Sequence, residues 1–258
     1  NAEGVILGLQ PFDKEVISIA KKLKIIAKFG VGMDNVDITE CLKKKITIKR
    51  AINCNALSVA EMVIANSINI QRNINKNFIN LKNKYWRKFD GREIYQKKFG
   101  IIGLGSIGKE VAKRLKPFGC QILINDIKVD KKFCLNNKLR SVSLKTILKE
   151  SDIISLHVPL TKKTFKMISS KELKIIKKDC ILINTSRGEV INFPELKKSL
   201  RKKKIRLAID VFPNEPLHKD SIFKNDESIF TPHIGGTTLE SKLRIGRKNI
   251  QDLKIKFS

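Results

Sequence analysis

Short apolar runs alternate along this chain with segments in which apolar residues recur at helical spacing. Each run is typical of a strand buried on both faces, and each spaced segment is typical of a helix with one buried face. Strands are predicted over 4–9, 25–28, 46–48, 99–104, 121–125, 152–156, 180–184, 206–209 and 228–230, and helices over 13–22, 38–42, 58–75, 106–115, 143–149, 169–176, 192–203 and from 237 onward. This alternation predicts an α/β fold with a doubly wound parallel sheet.

Several helix starts carry the spacing of a capping box, in which an N-cap residue is followed three positions later by a glutamate. The pairs are Asp37 and Glu40, Ser58 and Glu61, Ser169 and Glu172, and Thr237 and Glu240. The helix predicted from Ser58 extends to about Asn75 and is long enough to bridge two domains. Residues 76–98 are polar and aromatic, and we interpret them as a linker.

The pattern from Phe99 to Leu115 predicts a strand, then a glycine-rich turn and then a helix. Gly103, Gly105 and Gly108 form G-x-G-x-x-G. The first glycine permits the tight turn, the second lets the backbone approach a pyrophosphate, and the third lets the helix pack on the strand. The helix start can then direct its N–H groups at an anion.

A second predicted strand ends at Asp126, 18 residues past Gly108 (126 − 108 = 18). An acid at about this distance accepts hydrogen bonds from a ribose in dinucleotide-binding folds. An isolated glycine motif is also compatible with an ordinary glycine turn. The strand, helix, second strand and acid together favour a dinucleotide site.

Polar residues also follow the later strands, at the carboxyl ends where open parallel sheets bind ligands. These residues are His157, the segment 185–188, Asp210 and the segment 231–236. A further histidine, His218, lies in a predicted loop with no partner suggested by the sequence.

Composition sets the limits of this picture. The 258 residues suffice for one large or two modest domains. No apolar run reaches the length of about 18 residues that a membrane span needs, and the first residues lack the pattern of a secretory signal. The five cysteines form no C-x-x-C pair, which favours reduced thiols in the cytoplasm over disulfides or a metal site.

The formal net charge of +28 raises the possibility of a nucleic-acid or acidic-surface partner. The lysines are spread over many predicted helices, and no nucleic-acid recognition motif is present. We therefore favour a solvated lysine-rich surface and expect neither a specific nucleic-acid site nor membrane binding.

Nearly the whole chain resembles the D-isomer-specific 2-hydroxyacid dehydrogenase family, with the phosphoglycerate dehydrogenase-like branch nearest. The resemblance rests on these motifs in the family's order: FGVGMDNVDI, NALSVAE, FGIIGLGSIG, SDIISLHVPLT, ILINTSRGEV, AIDVFPNEP and TPHIGG. It implies a Rossmann cofactor domain and a smaller flavodoxin-like substrate domain, with a cleft between them and dimers built through the cofactor domain.

The resemblance also implies domain boundaries. Residues 1–55 correspond to part of the substrate domain, 56–75 to a bridging helix, 76–236 to the NAD-binding domain, and 237–258 to a C-terminal helix that returns toward the substrate domain. The family pattern has a further strand and helix before Asn1, so the substrate domain is expected to be N-terminally incomplete.

Oxidation of a 2-hydroxy acid needs a cation for the carboxylate, a base for the hydroxyl proton and a positioned nicotinamide. Arg187 resembles the family's substrate-binding arginine, and its planar fork suits a carboxylate. His233 resembles the acid–base, and Glu215 resembles the carboxylate that orients it. Each residue alone is also compatible with a structural or surface role, but their joint placement in three motifs favours catalysis.

The family pattern implies NAD as cofactor, preferred over NADP because Asp126 would repel a 2′-phosphate. The cofactor contacts it implies are Gly103, Gly105, Ser106, Ile107, Gly108, Asp126, His157, Pro159, Thr185, Ser186, Asp210, Gly235 and Gly236. The substrate contacts it implies are Val31, Gly32, Asn55 and Arg187. No metal is expected.

Two questions stay open at this level. A catalytically idle, cofactor-sensing protein of the corepressor type is possible on the same fold. The substrate is also open, with 3-phosphoglycerate as one candidate. Residues Gly8, Leu9 and Gln10 stand where the phosphoglycerate branch has an arginine, although Lys28 keeps a cation at a second such position.

Overall fold

The structure, a computed structural model, describes residues 2–202, 204–217, 222 and 227–258. The strands in this part of the chain are β1 (Gly4–Leu7), β2 (Ile25–Lys28), β3 (Thr47–Arg50), β4 (Lys98–Ile102), β5 (Gln121–Asn125), β6 (Arg140–Ser141), β7 (Ile153–Leu156), β8 (Ile181–Asn184), β9 (Arg206–Ile209) and β10 (Ile229–Phe230). The helices are α1 (Lys14–Ile19), α2 (Ile38–Lys43), α3 (Ala56–Gln71), α4 (Ile74–Lys82), α5 (Ser106–Leu115), α6 (Lys131–Asn136), α7 (Leu144–Glu150), α8 (Ser170–Ile175), α9 (Phe193–Lys202) and α10 (Leu239–Phe257). Every described helix is too short or too polar to span a bilayer.

The chain divides into two compact units. Unit 1 comprises residues 1–58 and 236–258, and unit 2 comprises residues 59–235. Unit 1 holds a parallel sheet in the order β1-β2-β3, with α10 in contact with β2 and β3. Its core gathers Leu7, Ile17, Ile26 and Cys41 with other apolar side chains.

Unit 2 holds a seven-stranded sheet in the order β10-β9-β8-β7-β4-β5-β6, and every pair in it is parallel. One hydrophobic cluster includes Ile154 and Leu182, and another includes Ile153 and Ile181, so alternate residues of β7 and β8 serve different cores. Both strands are fully buried, which explains why their sequences read as continuous apolar runs. The predicted α/β class with a doubly wound parallel sheet is confirmed.

Two helix starts match their predicted caps. The Asp37 side chain accepts a hydrogen bond from the Glu40 N–H at the start of α2. Ser169 and Glu172 form both halves of a capping box at the start of α8.

Two other predicted caps are wrong. Helix α3 begins at Ala56, so Ser58 lies within it and its hydroxyl instead pairs with Thr238 Oγ1 at 2.8 Å. The N-cap of α10 is Thr238 rather than Thr237, and its hydroxyl accepts from the Ser241 N–H.

The predicted helix over 58–75 and linker over 76–98 also need correction. Helix α3 ends at Gln71, and Asn73 adopts the left-handed conformation with φ 51°. A separate helix, α4, then covers Ile74–Lys82. The predicted helix 192–203 is observed as Phe193–Lys202; its last predicted residue, Lys203, and the loop residue His218 lie outside the described part of the chain.

Candidate active site

The carboxyl edge of the seven-stranded sheet gathers the polar residues that the sequence singled out. From β4 the chain proceeds outward through β5 and β6, and then returns to the other side of β4 through β7, β8 and β9. The sheet order therefore reverses at the β4–β7 boundary, which is where open α/β sheets bind ligands. The His157 N–H donates to the Ile102 carbonyl at 2.7 Å and joins the two strand ends there.

The glycine turn after β4 requires its glycines. Gly103 has φ +98°, and a Cβ on it would lie 2.4 Å from the His157 carbonyl oxygen. A Cβ on Gly108 would lie 2.1 Å from the Gly103 carbonyl oxygen, so helix and strand approach too closely for a side chain. A Cβ on Gly105 would meet nothing within 4 Å. The protein thus packs tightly against the first and third glycines and leaves space around the middle one, where the backbone can approach a pyrophosphate.

Helix α5 starts directly at this turn, with Gly105 as its N-cap and Ser106 and Ile107 in its first turn. No side chain in the described part of the chain caps this helix start. Val111, Ala112 and Leu115 are buried beneath it and fix its orientation on the sheet. The start of α5 thus fits the anion-binding position predicted from the sequence, which stays a prediction.

Asp126 lies just past β5 and contacts the glycine turn. Its Oδ2 accepts a hydrogen bond from the Leu104 N–H at 2.5 Å, and its Oδ1 accepts from the Lys128 N–H at 2.9 Å. The sequence predicted a ribose acceptor but not this link to the turn. A carboxylate offers about four acceptor positions, so these two contacts leave acceptor capacity for a ribose.

His157 ends β7 beside the glycine turn. Its Nε2 pairs with Ser155 Oγ at 2.9 Å, while its Nδ1 is buried with no partner among the described residues. Burial lowers the pKa of this imidazole to about 3, so the ring is neutral at physiological pH. Pro159 follows two residues later, at an exposed position.

Arg187 lies in the loop after β8. Asn184, the last residue of that strand, is fully buried and organises this loop with its side chain. The Asn184 Oδ1 accepts from the Ser186 N–H and hydroxyl, and its Nδ2 donates to the Arg187 carbonyl. The Arg187 guanidinium donates through NH1 to the Ser186 carbonyl at 2.7 Å. The Thr185 hydroxyl is buried without a partner in the described part of the chain.

Glu215 and His233 form a direct pair. The distance between His233 Nδ1 and Glu215 Oε2 is 2.7 Å, and Glu215 Oε1 accepts from the Phe212 N–H at 2.8 Å. The glutamate is therefore fixed on one side by backbone and on the other by the imidazole. The His233 side chain is 45% exposed, so the ring remains accessible to a substrate.

Asp210 follows β9 and lies beneath the turn that carries His233. Its carboxylate is 2% exposed and accepts from the Thr231 hydroxyl, the Ile234 N–H and the Gly235 N–H. The family pattern implies a cofactor contact for Asp210, and this role stays a prediction. The structure shows that Asp210 organises the His233 turn, a role that no local pattern in the sequence indicated.

The remaining predicted residues lie in unit 1. Val31, Gly32 and Asn55 are partly buried there, and a Cβ on Gly236 would lie 3.2 Å from Asn55 Nδ2. Their predicted roles toward substrate and cofactor stay predictions. Among the described residues no group of three or more His, Cys, Asp or Glu side chains could hold a metal ion.

The residues of unit 2 fit a bound dinucleotide in three independent ways. The middle glycine of the turn is open to a close approach, no described side chain caps the start of α5, and Asp126 follows the end of the next strand. The buried and unpartnered Thr185 hydroxyl offers a further hydrogen-bonding group after β8. The glycine turn would hold the pyrophosphate and Asp126 the adenosine ribose.

Comparison with known proteins agrees with this geometry. Residues 64–235 match the family model described as D-isomer specific 2-hydroxyacid dehydrogenase, NAD binding domain. The chain is 38% identical to a glyoxylate reductase of Thermococcus litoralis over 92% of its length and 75% of that protein. It is 36% identical to a D-3-phosphoglycerate dehydrogenase of Methanocaldococcus jannaschii over 93% of its length, but it spans only 47% of that relative.

A solved structure shows the same fold. The D-lactate dehydrogenase of Aquifex aeolicus, complexed with NAD and lactic acid, is 30% identical and superposes with a TM-score of 0.89 over 98% of this chain and 82% of that one. Together with the glycine turn, Asp126 and the Glu215–His233 pair, these similarities establish that the chain belongs to the D-isomer-specific 2-hydroxyacid dehydrogenase family and carries its NAD-binding domain.

Proposed function

We propose that the chain catalyses reversible hydride transfer between NAD(H) and a D-2-hydroxy acid and 2-oxo acid pair. The single observation that carries this proposal is the 2.7 Å contact between His233 and Glu215 on the same sheet edge as the glycine turn and Arg187. An acid–base pair, a carboxylate-binding cation and a dinucleotide-binding turn are the groups that this reaction needs.

His233 moves the proton. Because Nδ1 faces Glu215, Nε2 is the ring nitrogen that takes the hydroxyl proton in oxidation and returns it in reduction. The Glu215 carboxylate stabilises the imidazolium that forms, and the Phe212 N–H holds that carboxylate in place.

Arg187 binds the substrate. Its guanidinium is a planar fork that can contact a carboxylate with two parallel N–H groups and polarise the 2-oxo group. When bound, the nicotinamide supplies the hydride acceptor in oxidation and the donor in reduction.

The substrate class is a small 2-hydroxy or 2-oxo acid. Relatives of this chain are named glyoxylate reductase, hydroxypyruvate reductase and D-3-phosphoglycerate dehydrogenase. Lys28, the cation expected to favour a phosphorylated substrate, is 3% exposed and its ammonium donates to the Gly8 carbonyl. This engagement supports an acid without a phosphate over 3-phosphoglycerate.

A cofactor-sensing protein without catalysis is the other function considered, and no observation favours it. The complete set of Arg187, Glu215 and His233, with the last two already paired, supports turnover instead.

Turnover with NADH tests the proposal directly. The purified chain should oxidise NADH in the presence of glyoxylate, hydroxypyruvate or pyruvate, and more slowly with 3-phosphohydroxypyruvate. Arg187→Lys should raise KM for the 2-oxo acid and lower kcat, because a point charge cannot reproduce the fork. Tight NADH binding without turnover of any 2-oxo acid would favour the sensing function.

We also propose a homodimer formed through unit 2 and a cytoplasmic location. Helix α4 buries none of its residues, and Phe78, Leu81, Tyr85 and Trp86 expose more than half of their surface. A cluster of this kind is typical of a protein–protein interface. The five cysteines are free thiols, which supports a reducing compartment.

Sedimentation velocity tests the dimer. The 29.4 kDa chain should sediment at twice its mass, and Phe78→Asp combined with Trp86→Asp should yield monomers. Phe165→Asp, at an exposed position outside this cluster, serves as the matched control and should remain dimeric.

A further inference from the structure

Two buried polar residues end the neighbouring strands β8 and β9. Asn184 is fully buried, and Asp210 is 2% exposed. Burial of an amide or a carboxylate is costly unless its atoms are hydrogen-bonded. Both side chains are hydrogen-bonded, and among the described residues each bonds only to the loop that contains a proposed catalytic residue.

Asn184 holds the loop of Arg187 at both ends. Its Oδ1 accepts from the Ser186 N–H at 3.0 Å and from the Ser186 hydroxyl at 2.8 Å, and its Nδ2 donates to the Arg187 carbonyl at 2.9 Å. One side chain thus satisfies three groups within three residues. The next residue, Gly188, is packed so closely that a Cβ would lie 2.0 Å from the Phe212 carbonyl carbon. The loop therefore has little freedom to move as a whole.

Asp210 holds the turn of His233 in the same manner. Oδ1 accepts from the Thr231 hydroxyl at 2.6 Å and the Ile234 N–H at 2.8 Å, and Oδ2 accepts from the Gly235 N–H at 2.8 Å. The Asp210 carbonyl also accepts from the N–H of His233, whose φ of 53° lies in the left-handed region. That backbone conformation is unfavourable for a non-glycine residue and persists only when its surroundings enforce it.

The two residues are joined to each other. The Asp210 N–H donates to the Asn184 carbonyl at 3.0 Å, which continues the β8–β9 pairing past the end of β9. We propose that Asn184 and Asp210 are positioning residues that together fix Arg187 relative to His233. The inference rests on the proposed function, because it assigns these residues to that reaction.

The geometry implies that the two loops respond differently when loosened. Loss of the Asn184 contacts frees Arg187, whose task is to bind the substrate carboxylate. Loss of the Thr231 contact frees the turn of His233, whose task is proton transfer. The first change acts mainly on KM for the 2-oxo acid and the second mainly on kcat.

Steady-state kinetics of Asn184→Ser and Thr231→Val test this division. Asn184→Ser should raise KM for the 2-oxo acid about tenfold, and Thr231→Val should lower kcat about tenfold, which is the worth of a hydrogen bond of this kind. KM for NADH should change less than these two parameters, because the glycine turn and Asp126 keep their contacts in both variants. The double variant should be non-additive, because the two loops share the Asn184–Asp210 link. Ser151→Ala, which removes a buried hydroxyl with no partner among the described residues, serves as the control and should match wild type.

Amide hydrogen exchange gives a readout that does not depend on activity. Thr231→Val should speed exchange in the peptide that spans 231–236, and Asn184→Ser in the peptide that spans 184–188, with the rest of unit 2 unchanged. Wild-type kinetics and exchange in both variants would overturn the inference. So would a parallel change in both KM values and kcat with exchange raised throughout unit 2, because that pattern indicates general destabilisation. An inactive wild type would overturn the proposed function alone, and localised exchange would still support the loop assignment.

Discussion

At the scale of single residues, side chains at the carboxyl edge of the sheet form hydrogen bonds with more than one neighbour. Asp126 is the clearest case, since it contacts the glycine turn through Leu104 and its own loop through Lys128. The carboxylate is thereby oriented before any cofactor arrives, and preorganisation of this kind lowers the cost of binding.

Removal of this carboxylate should relax cofactor choice. Asp126→Ala should reduce the preference of the enzyme for NADH over NADPH, because a carboxylate at this position accepts hydrogen bonds from the ribose hydroxyls and repels a 2′-phosphate. The ratio of kcat/KM for the two cofactors is the measurement. Asp130→Asn, at a nearby acid paired with Lys109, should leave the ratio unchanged. Equal efficiency of the wild type with both cofactors would contradict the assignment.

His233 and Glu215 should fail differently when replaced. His233→Ala removes the proposed proton acceptor, so kcat should fall by about 10²–10⁴-fold while NADH binding is largely kept. Glu215→Gln retains the shape of the side chain but loses its charge. It should therefore mainly shift the pH profile of kcat, because the imidazolium of His233 loses the carboxylate that stabilises it. Kinetics of both variants across pH provide the check. Near-wild-type activity of His233→Ala would assign the proton transfer to another group.

His157 should make unit 2 sensitive to acid. Its folded-state pKa, lowered by burial to about 3, lies below the ordinary value of 6.5, so between these values the unfolded chain binds a proton that the folded chain does not. This contribution to stability is fully present above pH 6.5 and is lost as the pH falls toward 3, at up to about 1.4 kcal/mol per pH unit. Denaturant unfolding measured from pH 7 to 4 should show that the free energy of unfolding falls less steeply for His157→Gln than for wild type. Identical slopes would mean that the ring is solvated in the folded state.

At the scale of elements, helix bodies follow from the sequence better than helix ends do. The periodic apolar residues of α5 and α8 predicted where these helices lie, and Ser169 with Glu172 predicted where α8 begins. The end of α3 was not predictable in this way. Arg206, on the distant strand β9, donates to the Ile70 carbonyl and to Gln71 Oε1, so a long-range contact terminates that helix.

The active-site predictions likewise divide into features set by local spacing in the sequence and features that depend on contacts in the folded structure. Glycines and acids at strand ends were predictable, because their spacing is fixed by the local strand–turn–helix geometry. The multiple contacts of Asp210 depend on a later loop, because its carboxylate accepts from Thr231, Ile234 and Gly235. These contacts exist only once the sheet has formed, so no local pattern predicts them. Asn184 differs, because its side-chain partners Ser186 and Arg187 lie two and three residues along the chain, and its role was missed although the contact is local.

Helix α10 contains a buried polar residue at a position where an apolar residue should give a more stable fold. Asn249 is fully buried in unit 1, and neither atom of its amide has a partner among the described residues. Asn249→Leu keeps the branched shape, removes the unpaired groups and raises helix propensity, so it should stabilise the chain by about 1 kcal/mol or more. Thermal unfolding is the measurement.

A matched asparagine gives the opposite expectation. Asn77 donates to two backbone carbonyls and accepts from the Phe89 N–H, so Asn77→Leu should lower the melting temperature. A lower melting temperature for Asn249→Leu as well would reveal a water molecule bound to that amide.

At the scale of the whole molecule, the positive charge is spread rather than concentrated. The net charge is +28, and the net positive charge per residue is nearly the same in unit 1 and unit 2. Several lysines pair with acids on their own helix, such as Lys113 with Glu110 and Lys198 with Glu195. A surface of this type attracts polyanions from all sides without presenting one groove or helix to the bases of a nucleic acid.

The dispersed charge predicts nucleic-acid binding that is weak and indifferent to sequence. Fluorescence anisotropy with two duplexes of unrelated sequence should give equal affinities, because phosphate contacts carry no sequence information. Both affinities should fall steeply as salt rises from about 50 to 200 mM, since each neutralised phosphate releases counterions. Lys21→Gln combined with Lys22→Gln should lower both affinities only slightly, because the lost charges are two among many. A preference for one duplex of about 10³-fold or more at physiological salt would identify a specific site and contradict the prediction.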